Sequence, residues 1–205
     1  MKELRLEKGV ALVIVSHPDD ETIWMGGTMM NFPKIRWIIF SLCRKNDPDR
    51  ASKFRKACKQ YGAKSVIFDL EDEGIATTKQ SLPEIEKRIK KILKNLKKSR
   101  FNYIFTHGKN GEYGHPRHQG THQAVKKLLR EKTLAAKKIF CFSYRKPERK
   151  NFCLPSKQAD LFIELSPAIL KKKKFVMEKI YGFPRSSFEH QSSSFVETFR
   201  VINKI

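Results

Sequence analysis

Two short stretches of the sequence hold residue types that can bind a cation and move a proton. The first is His17-Pro18-Asp19-Asp20-Glu21, a histidine and three carboxylates. The second is His115-Pro116-Arg117-His118, with His122 one turn further on. His17 and Asp20 are three apart, a spacing that lets both reach one ion from a strand-to-helix elbow, and His118 is read as the third ligand. Two imidazoles and one carboxylate, with positions left open, make a catalytic zinc arrangement, and the same set suits other divalent metals. Asp19, between the two ligands of the first stretch, stays free to act as general base on water whose pKa the cation lowers. Each stretch alone has a plainer reading. His-Pro-Asp-Asp can be a turn with a capping Asp, and the helical spacing of His115, His118 and His122 makes His122 an alternative ligand with His115 as a cap. Together, two polar clusters after two buried runs argue for a site.

The elements that must position these residues alternate. Val10 to Val15 is short, unbroken and β-branched, which reads as a buried strand. Met25-Gly26-Gly27 opens a helix, Ile35 to Leu42 is a second strand, and Ala51 to Tyr61 is helical in period, with Gly62 as its stop. Ser65 to Phe68 is a third strand, followed by the acidic loop Leu70-Glu71-Asp72-Glu73-Gly74. Ser81-Leu82-Pro83-Glu84 reads as a helix start, and the helix runs to about Ser99 with Ile85, Ile89, Ile92, Leu93 and Leu96 in one stripe. Phe101 to Thr106 is a fourth strand. The glycine-rich loop His107 to Gly114 follows, then a helix to Arg130. Lys138 to Phe142, Ala159 to Leu165 and Phe195 to Ile202 read as later strands, with a helix from Ser166-Pro167 to Tyr181. The alternation predicts one α/β domain over residues 1–205, a doubly wound, mostly parallel sheet in three layers with helices on both faces. In such a sheet the ends of the first and fourth strands can meet across the switch point, where ligands bind.

Composition bounds the partners. Lys plus Arg number 43 against 21 Asp plus Glu, a net charge of +22. A balance this basic suits an anionic membrane surface, a phosphorylated substrate or nucleic acid. It also suits a lysine-rich, solvated surface. The lysines are spread along the chain, which weakens a nucleic-acid reading. The stripe of Ile85 to Leu96 fits a helix packed on a sheet better than one lying on a membrane. No apolar run approaches the ~20 residues of a membrane span, and Met1 to Lys8 lacks the apolar core of a secretion signal. The expectation is a cytoplasmic protein, with peripheral contact at the inner membrane face left open. Cys43, Cys58, Cys141 and Cys153 form no C-x-x-C pair and read as free thiols.

These residues resemble a known family. His17-Pro18-Asp19-Asp20-Glu21 with Gly26-Gly27 is similar to the A-H-P-D-D-E signature of LmbE/PIG-L-like N-acetylglucosaminyl deacetylases. Gly114-His115-Pro116-Arg117-His118, with His122 and Val125, is similar to that family's G-H-P-D-H-x-x-x-H. The resemblance runs from the first strand to the helix after His118 and fades beyond about residue 145. It implies a Rossmann-like fold and a zinc-dependent N-acyl hydrolase acting on an N-acetylated amino sugar or a glycan or lipid conjugate of one, with an anionic substrate suggested by the basic surface. It implies His17, Asp20 and His118 as zinc ligands and Asp19 as the base. His115 stabilises charge or protonates the leaving amine, Tyr113 stands near the substrate carbonyl, and Arg50 faces the substrate. Three residues depart from the pattern: Ser16 for Ala, Lys53 for Glu after the Arg50 position, and Arg117 for the Asp or Asn between the two histidines. Arg117 in that place is expected to hold a phosphate or carboxylate of the substrate. A metal-dependent phosphoesterase and a nucleic-acid-binding protein with a structural metal are the competing readings. The first calls for a second metal, the second for a closed four-ligand site.

Overall fold

The computed structural model describes residues 1–72 and 78–202. Its central run is a strand because alternate residues are buried on opposite sides. A short edge strand, β1 (Lys2–Glu3), precedes β2 (Gly9–Val15). From β2, Ala11, Val13 and Val15 enter one core, and Val10, Leu12 and Ile14 enter another. Next come α1 (Asp20–Asn31), β3 (Ile35–Cys43), α2 (Pro48–Gln60), β4 (Lys64–Leu70), α3 (Thr78–Leu96) and β5 (Arg100–Thr106). Then follow α4 (Gly111–Gly114), α5 (Pro116–Arg130), β6 (Ala135–Phe142), β7 (Tyr144–Arg145), β8 (Leu154–Pro155) and β9 (Leu161–Glu164). The chain ends in α6 (Pro167–Phe175), a π-helical turn (Val176–Tyr181), α7 (Phe188–Ser192) and β10 (Val196–Val201).

The main sheet has the order β1-β9-β10-β6-β5-β2-β3-β4, and β7 and β8 form a separate pair. From β4 across to β6 every pairing is parallel; β10 alone runs antiparallel, to β6 and β9. The chain leaves β2 toward β3 and β4, then returns to add β5 and β6 on the other side. The crevice at the carboxyl ends of β2 and β5 is therefore the switch point, where α/β sheets bind ligands. Helices α1, α2 and α6 cover the face holding Trp24, Trp37 and Phe54. Helices α3 and α5 cover the other, where Ile85, Ile89, Ile92 and Leu128 are buried. The basic helix α3 is thus a packed helix.

Several boundaries differ from the sequence expectation. Helix α1 starts at Asp20, before the Met25-Gly26-Gly27 start that was expected, and it is kinked at Met25 (φ −152°). Beyond the kink the Gly27 and Thr28 N–H groups donate to Glu197 at 2.8 and 2.6 Å, and Lys173 Nζ donates to the same carboxylate at 2.7 Å. A second helical start does lie there, capped from β10. Helix α3 begins at Thr78, so Ser81 and Pro83 lie inside it. Glu73 and Gly74 of the acidic loop lie outside the described residues. Among the described residues no helix is long and apolar enough to cross a membrane, and all four cysteines are free and buried.

Candidate metal centre and active site

At the end of β2 the chain turns at Ser16 to Pro18 and enters α1 through Asp19, whose φ of +116° is a conformation a side-chain-bearing residue rarely adopts. Such strain, held by its surroundings, is characteristic of functional sites. The Glu21 carboxylate holds it by accepting the Asp19 N–H at 3.1 Å, and Tyr181 and Thr22 hydroxyls at 2.7 and 2.6 Å fix that carboxylate. Asp20 is fixed by the His17 N–H (2.8 Å) and the Trp24 indole N–H (3.0 Å). From the other side of the switch point, His107 follows directly on β5, α4 carries Glu112 and Tyr113, and His115 caps α5 with His118 in its first turn.

The two segments close on each other. His17 Nδ1 lies 3.2 Å from His118 Nε2 and 3.3 Å from Asp20 Oδ2, and His118 Nε2 lies 3.4 Å from Asp20 Oδ1. Donors held about 2.0–2.1 Å from a tetrahedral ion stand about 3.3 Å apart, so this trio fits one small divalent cation with a position left open. The opposite ring nitrogens are also held. His17 Nε2 meets Asp72 at 2.9 Å, and His118 Nδ1 meets Glu112 Oε2 at 2.6 Å. Carboxylates behind ligating histidines orient the rings and raise their basicity. Glu112 Oε2 also accepts from His107 Nδ1 at 2.8 Å, and the Ser16 N–H lies 3.0 Å from His107 Nε2; the Glu112 and Asp20 charges raise the pKa of that ring to about 9 against its burial.

Charge and burial compete throughout. Burial opposes a charged His17, yet its hydrogen bonds to Asp20 and Asp72 prevail and raise its pKa to about 9. Burial opposes ionisation of Asp20, but His118 and His107 hold it well below the usual carboxylate range. Glu112 is likewise brought down to about 2 against its burial, by His107 and then His118. Carboxylates that raise the rings' affinity for a proton raise it for a divalent cation as well. Asp19 moves the other way: burial and the Asp20 charge push it up, against Arg50, whose Nη1 lies 2.9 Å from its Oδ2. His115 is brought down to about 4 by burial and by its neighbours His118 and His17. Its Nδ1 accepts the Arg117 N–H at 3.2 Å, which leaves Nε2–H as its donor.

A cavity of about 410 Å³ opens beside the trio, and His17, Asp19, Asp20, Arg50, Tyr113 and His115 all reach it. Tyr113 is 38% exposed and stands edge-on to His115, His118 and Phe188. Arg50 reaches Asp19 and also lies over the Phe183 ring. Arg117 does not reach the cavity. It is buried, with Nη2 2.8 Å from Glu71 and Nε 3.9 Å from Asp72. His122 is not in the trio either: its Nδ1 donates to the His107 carbonyl at 3.0 Å, and it faces a separate cavity of about 730 Å³ beyond the Gly108–Asn110 loop.

Sequence reading missed His107, Asp72, Arg44 and Glu112. For Glu112 a signal exists, an acid set between glycines after a buried strand, at φ +58°. Asp72 has none, being 55 residues from the ring it holds.

The model of a family described as PIG-L, GlcNAc-PI de-N-acetylase, matches residues 12–129. No curated protein sequence matches the chain. Among solved structures, N,N'-diacetylchitobiose deacetylase from Pyrococcus horikoshii is similar at 15% identity and a TM-score of 0.66, over 94% of this chain and 83% of that one. A40926 pseudoaglycone deacetylase is similar at 13% identity and a TM-score of 0.65, over 96% and 98%. The 4-carboxy-2-hydroxymuconate hydratase GalB from Pseudomonas putida KT2440 is similar at 13% identity and a TM-score of 0.63, over 96% and 97%. At such identities the likeness is one of fold, and the third protein carries a different activity on it.

Proposed function

The chain belongs to the PIG-L, or GlcNAc-PI de-N-acetylase, family, and from that premise we propose that it is a zinc-dependent N-deacetylase of an N-acetylated amino sugar or a conjugate of one. The observation that carries the reading is the trio of side chains whose donor atoms lie 3.2–3.4 Å apart, Asp20 turning Oδ2 to His17 and Oδ1 to His118, with an unliganded carboxylate, Asp19, beside it. His17, Asp20 and His118 would hold the ion. Bound there, a divalent ion supplies Lewis-acid polarisation of an acyl oxygen and makes water a stronger nucleophile.

The chain's own residues supply the rest. Asp19 takes a proton from the attacking water as the water oxygen joins the acyl carbon. Arg50, on Oδ2, keeps the other oxygen of Asp19 turned to that task. His115, neutral and with its Nδ1 already accepting, presents Nε2–H to the acyl oxygen as negative charge builds there. Of the two roles considered for His115, charge stabilisation is the one this hydrogen-bond pattern supports. The Tyr113 ring flanks the same space, and burial, then the Asp20 and Asp19 charges, keep its hydroxyl protonated. The proton held by Asp19 passes to the nitrogen as the C–N bond breaks, and the second proton of the water follows it to the amine, so one amide and one water give acetate and a protonated amine.

Acetate release from a panel of N-acetyl sugars, with and without chelator and with metal analysis in parallel, tests the proposal. Release that stops on chelation and returns with zinc supports it. Release indifferent to chelation, or none from any sugar, refutes it.

A further inference from the structure

The cavity of about 730 Å³ beyond the Gly108–Asn110 loop takes no part in the reaction proposed above. Cationic side chains from four separate segments converge on it: Lys109 after β5, Arg145 in β7, Lys157 after β8 and Arg200 in β10. Among the described residues no carboxylate lines it, and no hydrogen bond or ion pair engages the side chains of Lys109, Arg145 or Lys157. Arg200 donates to a carbonyl, that of Gln158, at 2.7 Å. The Asp160 carboxylate accepts the Val201 N–H at 2.8 Å and stands outside the wall.

A lysine-rich chain can gather such a rim by chance, so the charges alone assign nothing. The wall beneath them differs from ordinary surface. Ser143 lines the cavity at 8% exposure. Its backbone is pinned: its N–H donates to the Thr198 carbonyl at 3.0 Å, and its carbonyl accepts the Ser156 N–H at 2.9 Å. Its hydroxyl has no partner among the described residues. A buried hydroxyl left so costs free energy unless something in the cavity meets it. His122, also buried, donates Nδ1–H to the His107 carbonyl and leaves Nε2 as an acceptor with no described partner. Phe142, Val201 and Ile202 add apolar surface. A few fixed polar groups on an apolar wall are the make-up of a small-molecule site, and the volume falls within the ~300–1,000 Å³ of such sites.

We propose that this cavity is a second binding site and that its ligand is an organic phosphate. The cationic rim offers more charge than one carboxylate can meet, whereas a phosphate monoester carries nearly two charges on three terminal oxygens. The cavity is too large for the phosphate alone. A sugar or nucleoside body fills the remainder, and its hydroxyls meet Ser143 and His122. The site binds and performs no chemistry of its own. It goes beyond the deacetylase reading and does not depend on it.

The test is calorimetry on the full chain loaded with zinc. The probes are adenosine 5′-monophosphate, glucose 6-phosphate, adenosine, glucose and inorganic phosphate. At least one ester should bind about tenfold or more tightly than both its phosphate-free body and inorganic phosphate, since hydrogen bonds to a charged group are worth that much. Which ester binds better tells whether the body is a nucleoside or a sugar. Arg145→Gln with Lys157→Gln should weaken that ester by about tenfold, roughly threefold for each exposed charge. Ser143→Ala should weaken it by about three- to tenfold, the worth of one hydrogen bond. These changes leave His17, Asp19, Asp20 and His118 in place, so an ester held at the ion would bind every variant alike. Esters bound no better than their bodies, inorganic phosphate bound as tightly as the esters, or an affinity that the exposed pair of substitutions leaves unmoved would each overturn the proposal. Acetate release is not the readout, so a failure of the deacetylase reading leaves this result standing.

Discussion

Two cavities open at the same edge of the sheet, on either side of the Gly108–Asn110 loop, and they differ in almost every respect. The larger, about 730 Å³, is rimmed by Lys109, Arg145, Lys157 and Arg200, and no carboxylate of the described residues lines it. It holds a cysteine and a histidine 3.5 Å apart, Cys141 and His122. Both are perturbed chiefly by burial, which pushes the thiol up to about 12 and brings the imidazole down. Two neutral groups result, with no nucleophile. The smaller, about 410 Å³, holds groups displaced by one another's charges as well as by burial: Asp20 down and His17 up against their burial, and Asp19 up by burial and then by the Asp20 charge. Burial alone silences a titratable group; opposed charges brought to one point make a site. Size and net positive charge both point to the larger cavity. Topology points to the smaller, because only β2 and β5 flank the switch point.

The sharpest way to break this comparison is at Asp19. Asp19→Asn should lower kcat by about 100- to 10,000-fold, the range general acid–base groups contribute, with bound zinc unchanged. Zinc content falling in step with activity would make Asp19 a ligand and remove the base from the mechanism.

The next effect in size concerns Glu112, whose one oxygen serves both His118 and His107. Glu112→Gln should weaken zinc binding by about 10- to 100-fold, as loss of a carboxylate behind a ligating histidine does. kcat should be recovered at saturating zinc. A second readout is thermal. Zinc at 100 times its Kd should stabilise the native chain by about 2.7 kcal/mol, because an ion that binds only the folded state adds its binding energy. At the same zinc concentration the variant should lose about half of that gain for a tenfold loss of affinity and most of it for a hundredfold loss. Unchanged affinity would mean that the carboxylate holds the loop and not the ring.

The fold and the two segments that meet at its switch point were legible because each is local. The short, unbroken, β-branched run Val10–Val15 predicts a strand covered on two faces, and it lies in β2 as read. His17 and Asp20 sit on one turn, and His118 on the first turn of the helix that Pro116 opens. What could not be read is set by distance across the fold. The kink at Met25 is capped by Glu197, some 170 residues away, so Gly26-Gly27 read as a start when they are the second half of a longer helix. Arg117 looked available from sequence because its partners, Glu71 and Asp72, lie in a loop that no periodicity ties to α5. The same loop supplies Asp72 to His17. An arginine between the two histidines and an acid behind the first are thus two ends of one arrangement.

The smallest predicted effect separates the two cavities most cleanly. His118 and His122 are the same residue type, one turn apart on α5, and are buried to similar extents. They differ in what their nitrogens meet. His118 turns Nε2 toward Asp20 and His17, with Nδ1 on a carboxylate. His122 turns Nδ1 to the His107 carbonyl and lines the larger cavity. His122→Gln should therefore leave zinc affinity and kcat within about twofold, since its contact is a single neutral hydrogen bond whose loss costs about 1 kcal/mol of stability. For a chain of this length that cost lowers Tm by roughly 2–4 °C. The carbonyl it serves belongs to His107, which stacks on His118 at 3.8 Å, so that ring is one route for coupling between the cavities. A tenfold loss of zinc affinity in His122→Gln, with Tm moving no more than this, would show that the coupling is strong and that the two cavities are one functional unit.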